Sequence, residues 1–255
     1  MTQPDEHFQP RSVSDVLVDA FELFRRDWTN YVLMTALLVI PLALAQVGVS
    51  RAFVDEGTGE VTLVGGALLF SLVGAVLAVI VQLVVSGALT RSGVSAMAGQ
   101  RLEVAESLRH AFRRMGGLLW VILLSSLAIL AGFIALIIPG IIFAVLLNVS
   151  VQAFIVEGHK GSAALSRSWN LVKTHFWHVL GVVFLTALLT GITSAILGQL
   201  GGDSFFGEWL FGSIGLLLVV PYTAMVTVVL YVELRARMEG LTVTQLRGDL
   251  ARTSL

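Results

Sequence analysis

The chain has 255 residues, of which 56% are hydrophobic and 13% charged, with a net charge of −1 and no cysteine. An ordinary soluble domain carries about 25% charged residues, so a soluble fold is disfavoured, and the balanced charge speaks against a polyelectrolyte-binding protein. The missing cysteine excludes disulfides, thiolate nucleophiles and thiolate metal sites, and a mean hydropathy of +0.88 points to lipid as the main solvent.

The start, "MTQPDEHFQP", has no basic region followed by a short apolar run, so no secretory signal is expected there. Residues 1–11 are expected to be a disordered N-terminus, residues 12–240 a single transmembrane domain and residues 241–255 a cytoplasmic tail. Within "VLVDAFELFRRDW", Leu17, Phe21, Phe24 and Trp28 fall at i, i+4, i+7 and i+11. That spacing makes one apolar stripe on a helix, the pattern of a helix lying in the membrane interface.

Two charge-free windows follow, Trp28–Ser50 and Val61–Thr90. Each can hold a span, which needs roughly 20 apolar residues. The stripe then returns as Leu108, Phe112, Met115 and Leu119 in "SLRHAFRRMGGLL". The next charge-free window, Met115–Val156, has 42 residues. As helix it would measure about 63 Å, twice a bilayer core of roughly 30 Å. At its centre "IIPGII" carries the turn pair Pro139-Gly140. Two spans joined by a tight hairpin are expected, with one span plus a re-entrant piece as the other reading.

The stripe appears a third time as Leu165, Trp169, Val172 and Phe176 within "ALSRSWNLVKTHFW", before the windows Val179–Gly202 and Trp209–Val232. Each copy places a small residue before its first aromatic: Ala20, Ala111 and Ser168. The expected fold is therefore an all-α integral membrane protein. Six transmembrane helices form three hairpins, each preceded by an amphipathic interfacial helix, in units of about 12–90, 101–156 and 161–234. Parallel units of this kind are related by an axis along the membrane normal.

Charge sets the expected orientation. The segments Met1–Asp27, Arg91–Arg114, Glu157–His178 and Glu233–Leu255 hold 15 of the 16 Lys and Arg residues. Basic short loops stay cytoplasmic, so both termini are expected inside. Arg25, Arg26, Trp28, Arg113, Arg114, Arg167, Trp169, Lys173 and Trp177 are the candidate interfacial lipid contacts. Each basic residue there gains about 1 kcal/mol near anionic lipid, and the same residues also serve generic anchoring.

No ionisable residue falls inside an expected membrane core, which speaks against ion-coupled transport. Polar rows do occur: Ser71, Ala75, Ala78, Gln82 and Ser86 as a small, partly polar face of the second span, Asn148 and Gln152 in the fourth, Thr186, Thr190 and Ser194 in the fifth, Thr223 and Thr227 beside Tyr222 in the sixth. The first reading is helix–helix packing in lipid; a polar-lined cavity between the repeats is the alternative. Pro41 and Pro221 interrupt two spans, as kinks or as openings in the backbone. The five histidines lie outside the spans, and no HExxH, GxSxG or P-loop pattern is present. No catalytic residue, cofactor or metal site is expected, and the chain reads as not an enzyme.

"IVEGHKGSAALSRSWNLVKTHFWHVLG" resembles the membrane domain that precedes some bacterial glycerophosphodiester phosphodiesterases, the glycerophosphoryl diester phosphodiesterase membrane-domain family. The matching positions are Glu157, Gly158, Gly161, Leu165, Arg167, Ser168, Trp169, Leu171, Val172, Lys173, Phe176, Trp177 and Gly181. "IIPGI" at Ile137–Ile141 and "LYVELRARMEG" at Leu230–Gly240 are also similar to it. The resemblance implies a multi-pass protein of a bacterial cytoplasmic membrane. In that family the phosphodiester chemistry belongs to a separate barrel domain, and the 15 residues after Gly240 are too few for one. The expectation is a scaffold or accessory subunit with membrane lipids, possible anionic ones included, and a protein partner on its cytoplasmic face. The alternative is a lipid or small-molecule carrier using a cavity between the helix repeats. Nothing points to nucleic acid.

Overall fold

The computed structural model describes residues 8–37, 39–40, 64–100, 104–201 and 205–254. The later part of the first expected span, with Pro41 and Arg51, lies outside them. Helix α1 spans Val13–Arg26 and opens on a capping box: the Asp15 amide donates to Ser12 Oγ, and the Ser12 amide donates to Asp15 Oδ2. Arg25 and Arg26 in its last turn complement the negative end of the helix dipole. After Asp27 the chain enters α2, over residues 28–37. Then follow α3 Val64–Met97, α4 Val104–Arg113, α5 Met115–Ala135, α6 Ile137–Leu146 and α7 Ser150–Gln152. A π-helical turn, Ala153–Glu157, leads to α8 Ser162–Val172, a 3-10 turn Lys173–His175, α9 Phe176–Gly201, α10 Phe205–Glu239 and α11 Val243–Ser254.

Five helical segments among the described residues are long and apolar enough to cross a membrane: Leu72–Met97, Met115–Ala135, Ile137–Glu157, Ser162–Leu200 and Leu210–Glu239. Helix α10 has 35 residues, about 52 Å of helix, so it extends well past a hydrocarbon core of roughly 30 Å. Pro221 sits inside it without ending it.

The long window does divide in two, but at Leu136 rather than at Pro139-Gly140. Leu136 is extended (φ −166°, ψ 158°), and Pro139 becomes the third residue of α6. Amides in a first turn have no intrahelical acceptor, so proline is tolerated there. The two arms approach closely at Gly132 and Gly140: a Cβ on Gly132 would lie 2.9 Å from Gly140 Cα.

Burial is uneven along the bundle. On α3 the side chains from Leu72 to Val79 are largely exposed, whereas Leu83, Val84, Val85, Leu89 and Val94 are buried. On α10 burial runs from Met225 to Ala236. The core therefore sits at the end of the bundle that carries the charged residues. The other end displays Leu, Ile, Val and Phe outward, as lipid-facing helices do.

Helices α1, α4 and α8 pack by their small residues. Val16 and Ala20, Ser107 and Ala111, and Ala164 and Ser168 are fully buried. Phe21, Phe112 and Trp169 point outward from the next position, at 54%, 49% and 39% exposure. The small residue before each aromatic is thus the one that lets the helix backbone approach the bundle.

Candidate functional site

Three polar rows far apart in sequence meet around one cavity of about 190 Å³. Helix α3 brings Gln82, Ser86 and Thr90, the Ile137–Glu157 segment (the fourth span of the six expected) brings Asn148 and Gln152, and α10 brings Thr223 and Thr227. Leu89, Val151, Val220 and Ala224 fill the apolar remainder of the lining.

The fourth span is interrupted at this cavity. Helix α6 stops at Leu146, Leu147–Val149 form a turn, and helix resumes at Ser150 before widening into the π turn. The local sequence "LNVSV" supplies the cause. Asn and β-branched Val are weak helix formers, and Ser and Asn side chains compete for nearby backbone groups. The freed Leu146 carbonyl is taken up by a hydroxyl, and Leu147 O accepts both the Ser150 amide at 3.2 Å and a hydroxyl. Ser168 Oγ donates to Leu146 O at 2.8 Å, and Ser150 Oγ donates to Leu147 O at 2.8 Å. Ser125 Oγ lies 3.3 Å from Ser150 Oγ and donates to Val121 O at 2.8 Å. The interruption is therefore a satisfied structure, and it presents Asn148 to the cavity.

Gln152 Nε2 donates to Thr227 Oγ1 at 2.9 Å, while Thr227 Oγ1 donates to Ala224 O at 2.9 Å. A hydroxyl has one proton, so with that proton on Ala224 O, Thr227 accepts from Gln152. Gln152 Oε1 and Asn148 Oδ1 are left buried without a partner.

An ionic network holds the end of this span. Arg167 Nε lies 3.0 and 2.8 Å from the two Glu157 carboxylate oxygens, and Tyr231 Oη donates to Glu157 Oε1 at 2.6 Å. Arg167 also pairs with Glu239. Arg235 binds Asp249 Oδ2 at 2.8 Å and Glu239 Oε2 at 3.1 Å. Glu233, fully buried, pairs with Arg237 and lies 3.6 Å from His178 Nε2. Helix α11 is docked against this end: Leu241, Leu246 and Leu250 are buried, Arg247 Nε donates to Ala98 O at 2.7 Å, and Arg114 Nη2 donates to Thr253 O at 2.7 Å. The segment 241–255 expected as a tail thus contains a packed helix.

The residues chosen as interfacial contacts fall into two groups. Arg25, Arg26, Trp28, Arg113, Trp169, Lys173 and Trp177 are exposed. Trp177 is 79% exposed and meets Phe176 edge-on, Trp169 leans on Phe143, and Lys173 Nζ donates to Asn170 Oδ1. Arg114 and Arg167 are turned inward, to Thr253 and to the Glu157 and Glu239 carboxylates. The glycines of the same region are architectural: Gly158 (φ +76°) and Gly161 (φ +53°) form the turn into α8, a conformation that favours glycine. Among the described residues no group of three His, Cys, Asp or Glu side chains is placed to hold a metal ion.

A second, apolar groove of about 570 Å³ opens between α1, α9 and α10, lined by Phe21, Phe24, Leu189, Leu218 and Tyr222 among others. Thr190, from the expected polar row of α9, and Thr193 border it, with hydroxyls donating to Ala187 O and Leu189 O.

A helical bundle with apolar flanks, several membrane-length helices and a polar cavity at a broken span defines a multi-pass membrane protein. No family model, curated protein or solved structure matches the chain.

Proposed function

We propose that this chain is a non-catalytic integral membrane protein that binds and carries a lipid or small molecule, using the cavity between α3, the interrupted fourth span and α10. The convergence of three polar rows on one cavity at a helix break carries the reading. Irregular backbone at membrane depth is tolerated only where it is buried in protein or lines a cavity. Discontinuous helices are also where carriers place their binding sites. The test is gentle extraction with native lipid and identification of everything bound. A stoichiometric ligand that is lost in Gln152→Leu and kept in Lys173→Ala is the expected result, and protein carrying only bulk lipid overturns the reading.

A scaffold or accessory role is the second reading. It is favoured by the ion-paired, α11-covered end, which offers a fixed platform to a cytoplasmic protein partner. Recovery of a stoichiometric protein with no bound small molecule would select it.

The same proposal takes both termini as cytoplasmic, in a bacterial inner membrane, with six spans arranged as three parallel units. Support comes from the matched burial of Val16 and Ala20, Ser107 and Ala111, and Ala164 and Ser168, each pair at the same offset from Leu17, Leu108 and Leu165. A reporter active only outside the cytoplasm is expected to be silent when fused at Leu255 and active near Thr58; the reverse overturns the orientation. Membership of the glycerophosphoryl diester phosphodiesterase membrane-domain family is likewise proposed. The residues carrying that resemblance have structural work here: Glu157 with Arg167, Ser168 with Leu146, Trp169 with Phe143.

A further inference from the structure

We infer that the cavity at the broken span binds a small uncharged primary amide, because three carboxamides and a free hydroxyl line it and no ionisable side chain does. This deepens the carrier reading above and rests on it.

The lining offers acceptors and donors together. Ser86 Oγ donates to Leu83 O, Thr223 Oγ1 to Val220 O and Thr227 Oγ1 to Ala224 O, each at 2.9 Å, so these three hydroxyls have only lone pairs left to offer. Asn148 Oδ1 and Gln152 Oε1 are buried acceptors without a partner. On the donor side, the Thr90 hydroxyl and the NH2 groups of Gln82 and Asn148 are uncommitted among the described residues. Gln152 keeps one N–H beyond the one bonded to Thr227. Each carboxamide carries both an oxygen and an NH2, so turning one over exchanges the two and removes neither. Gln152 and Thr90 are 4% and 1% exposed, and polar groups so deep are costly to leave unbonded. A ligand that satisfies the set must both accept and donate. A primary amide does so in one plane, with two N–H donors and a carbonyl carrying two lone pairs. It pairs with another carboxamide through two reciprocal hydrogen bonds.

Charge narrows the class. No Asp, Glu, Lys, Arg or His is among the residues that line the cavity. An ion of either sign would shed its water here with no countercharge to offset the loss, and that penalty far exceeds the one for a neutral polar group. The volume of about 190 Å³ equals roughly six waters at about 30 Å³ each. A solute of about four to six non-hydrogen atoms fits that space, each atom taken as about one water. Water, also neutral and able to donate and accept, is the competing occupant. One amide that makes several of these bonds releases several waters, each of which had lost freedom of motion in the cavity.

The test uses the full chain in phosphatidylcholine nanodiscs, titrated separately with four planar probes of one shape: acetamide, acetate, acetamidinium and acetone. Acetamide is expected to bind at least tenfold more tightly than the two ions, and than acetone, which accepts but does not donate. Gln152→Leu should lose that binding and Lys173→Ala keep it. Thr90→Val, close in shape to the wild type, should weaken it at least threefold, and it decides alone if Gln152→Leu does not fold. Equal binding of acetate, acetamidinium or acetone, no acetamide binding by the wild type, or unchanged acetamide binding in the folded variants of Gln152 and Thr90 overturns the inference. The native-lipid extraction separates the two readings. A Gln152-dependent ligand that is not an uncharged amide refutes the amide assignment and leaves the carrier reading standing. Absence of any Gln152-dependent ligand in both experiments refutes both.

Discussion

The Ser168 hydroxyl on α8 reaches the Leu146 carbonyl at the end of α6, 2.8 Å away and fully buried. This one bond ties a surface helix to the break in the fourth span. The small residue before the aromatic is serine in α8, where it caps this carbonyl, and alanine in α1 and α4. Ser168→Ala keeps the close approach and removes the donor. A buried carbonyl left unsatisfied costs about 1–3 kcal/mol, so the melting temperature should fall. Hydrogen exchange at Leu147–Val149 should rise at the same time. A stability loss without faster exchange at the break would separate Ser168 from it.

His110 on α4 gives an acid-sensitivity prediction. Burial, followed by the positive charges of Arg91, Arg114 and Arg113, holds its pKa down to about 4. An unfolded chain binds that proton near pH 6.5, while the folded protein resists it until about pH 4. In that window the unfolded state carries more protons, so folding stability falls as pH falls. Above the unfolded pKa the group makes no pH-dependent contribution. His110→Gln should flatten the decline in melting temperature between those two values and leave the melting temperature at alkaline pH nearly unchanged. An identical pH slope in the variant would assign the acid sensitivity to other groups.

Much of the architecture was legible because hydrophobic period and charge placement report directly on solvent. The three stripes at Leu17, Leu108 and Leu165 announce three amphipathic helices, and the polar pairs at Asn148 and Gln152 and at Thr223 and Thr227 announce faces that avoid lipid. What periodicity does not encode is which face meets which. The stripe reads as the apolar face of an interfacial helix, and it divides: Phe21, Phe112 and Trp169 look outward, whereas Leu17, Leu108 and Val172 pack on the core beside the buried small residues. The hairpin at Leu136 differs by a few residues from the Pro139-Gly140 signal for a local reason, the tolerance of a first turn for proline. The hydroxyl that takes up Leu146 O comes from Ser168, some twenty residues away, and the partner of Glu157 on α10, Tyr231, is more distant still. Pairings of that range are set by packing.

Two adjacent glycines at the start of α5 allow a paired test of the packing. A Cβ on Gly117 would lie 2.5 Å from Cζ of Phe154, on the π turn, whereas a Cβ on Gly116 has nothing within 4 Å. Overpacking of a fixed core costs about 1–3 kcal/mol, and an unhindered Gly→Ala change in a helix gains up to about 1 kcal/mol. Gly117→Ala should therefore lower the melting temperature and Gly116→Ala leave it unchanged or raise it. Equal effects at the two positions would mean that Phe154 does not seat against α5 as described.

The Glu157–Arg167 pair closes the path from α8 to the cavity, and its energetics can be isolated. The two side chains are 11% and 21% exposed, and Glu157 follows Gln152 by little more than one turn. Removing one partner from a buried pair strands the other charge, at a cost of about 3 kcal/mol. Arg167→Met and Glu157→Gln should each destabilise by about that amount. The double variant should cost less than the sum, because the second change removes a charge already without its partner. Arg167→Met also releases Glu239 and should loosen α10 where it meets α11, seen as faster hydrogen exchange over Val243–Ser254. Strict additivity in the cycle would show that Glu157 is held by Tyr231, His159 and Arg235 without Arg167. The contact between α8 and the broken span would then rest on the Ser168 hydroxyl.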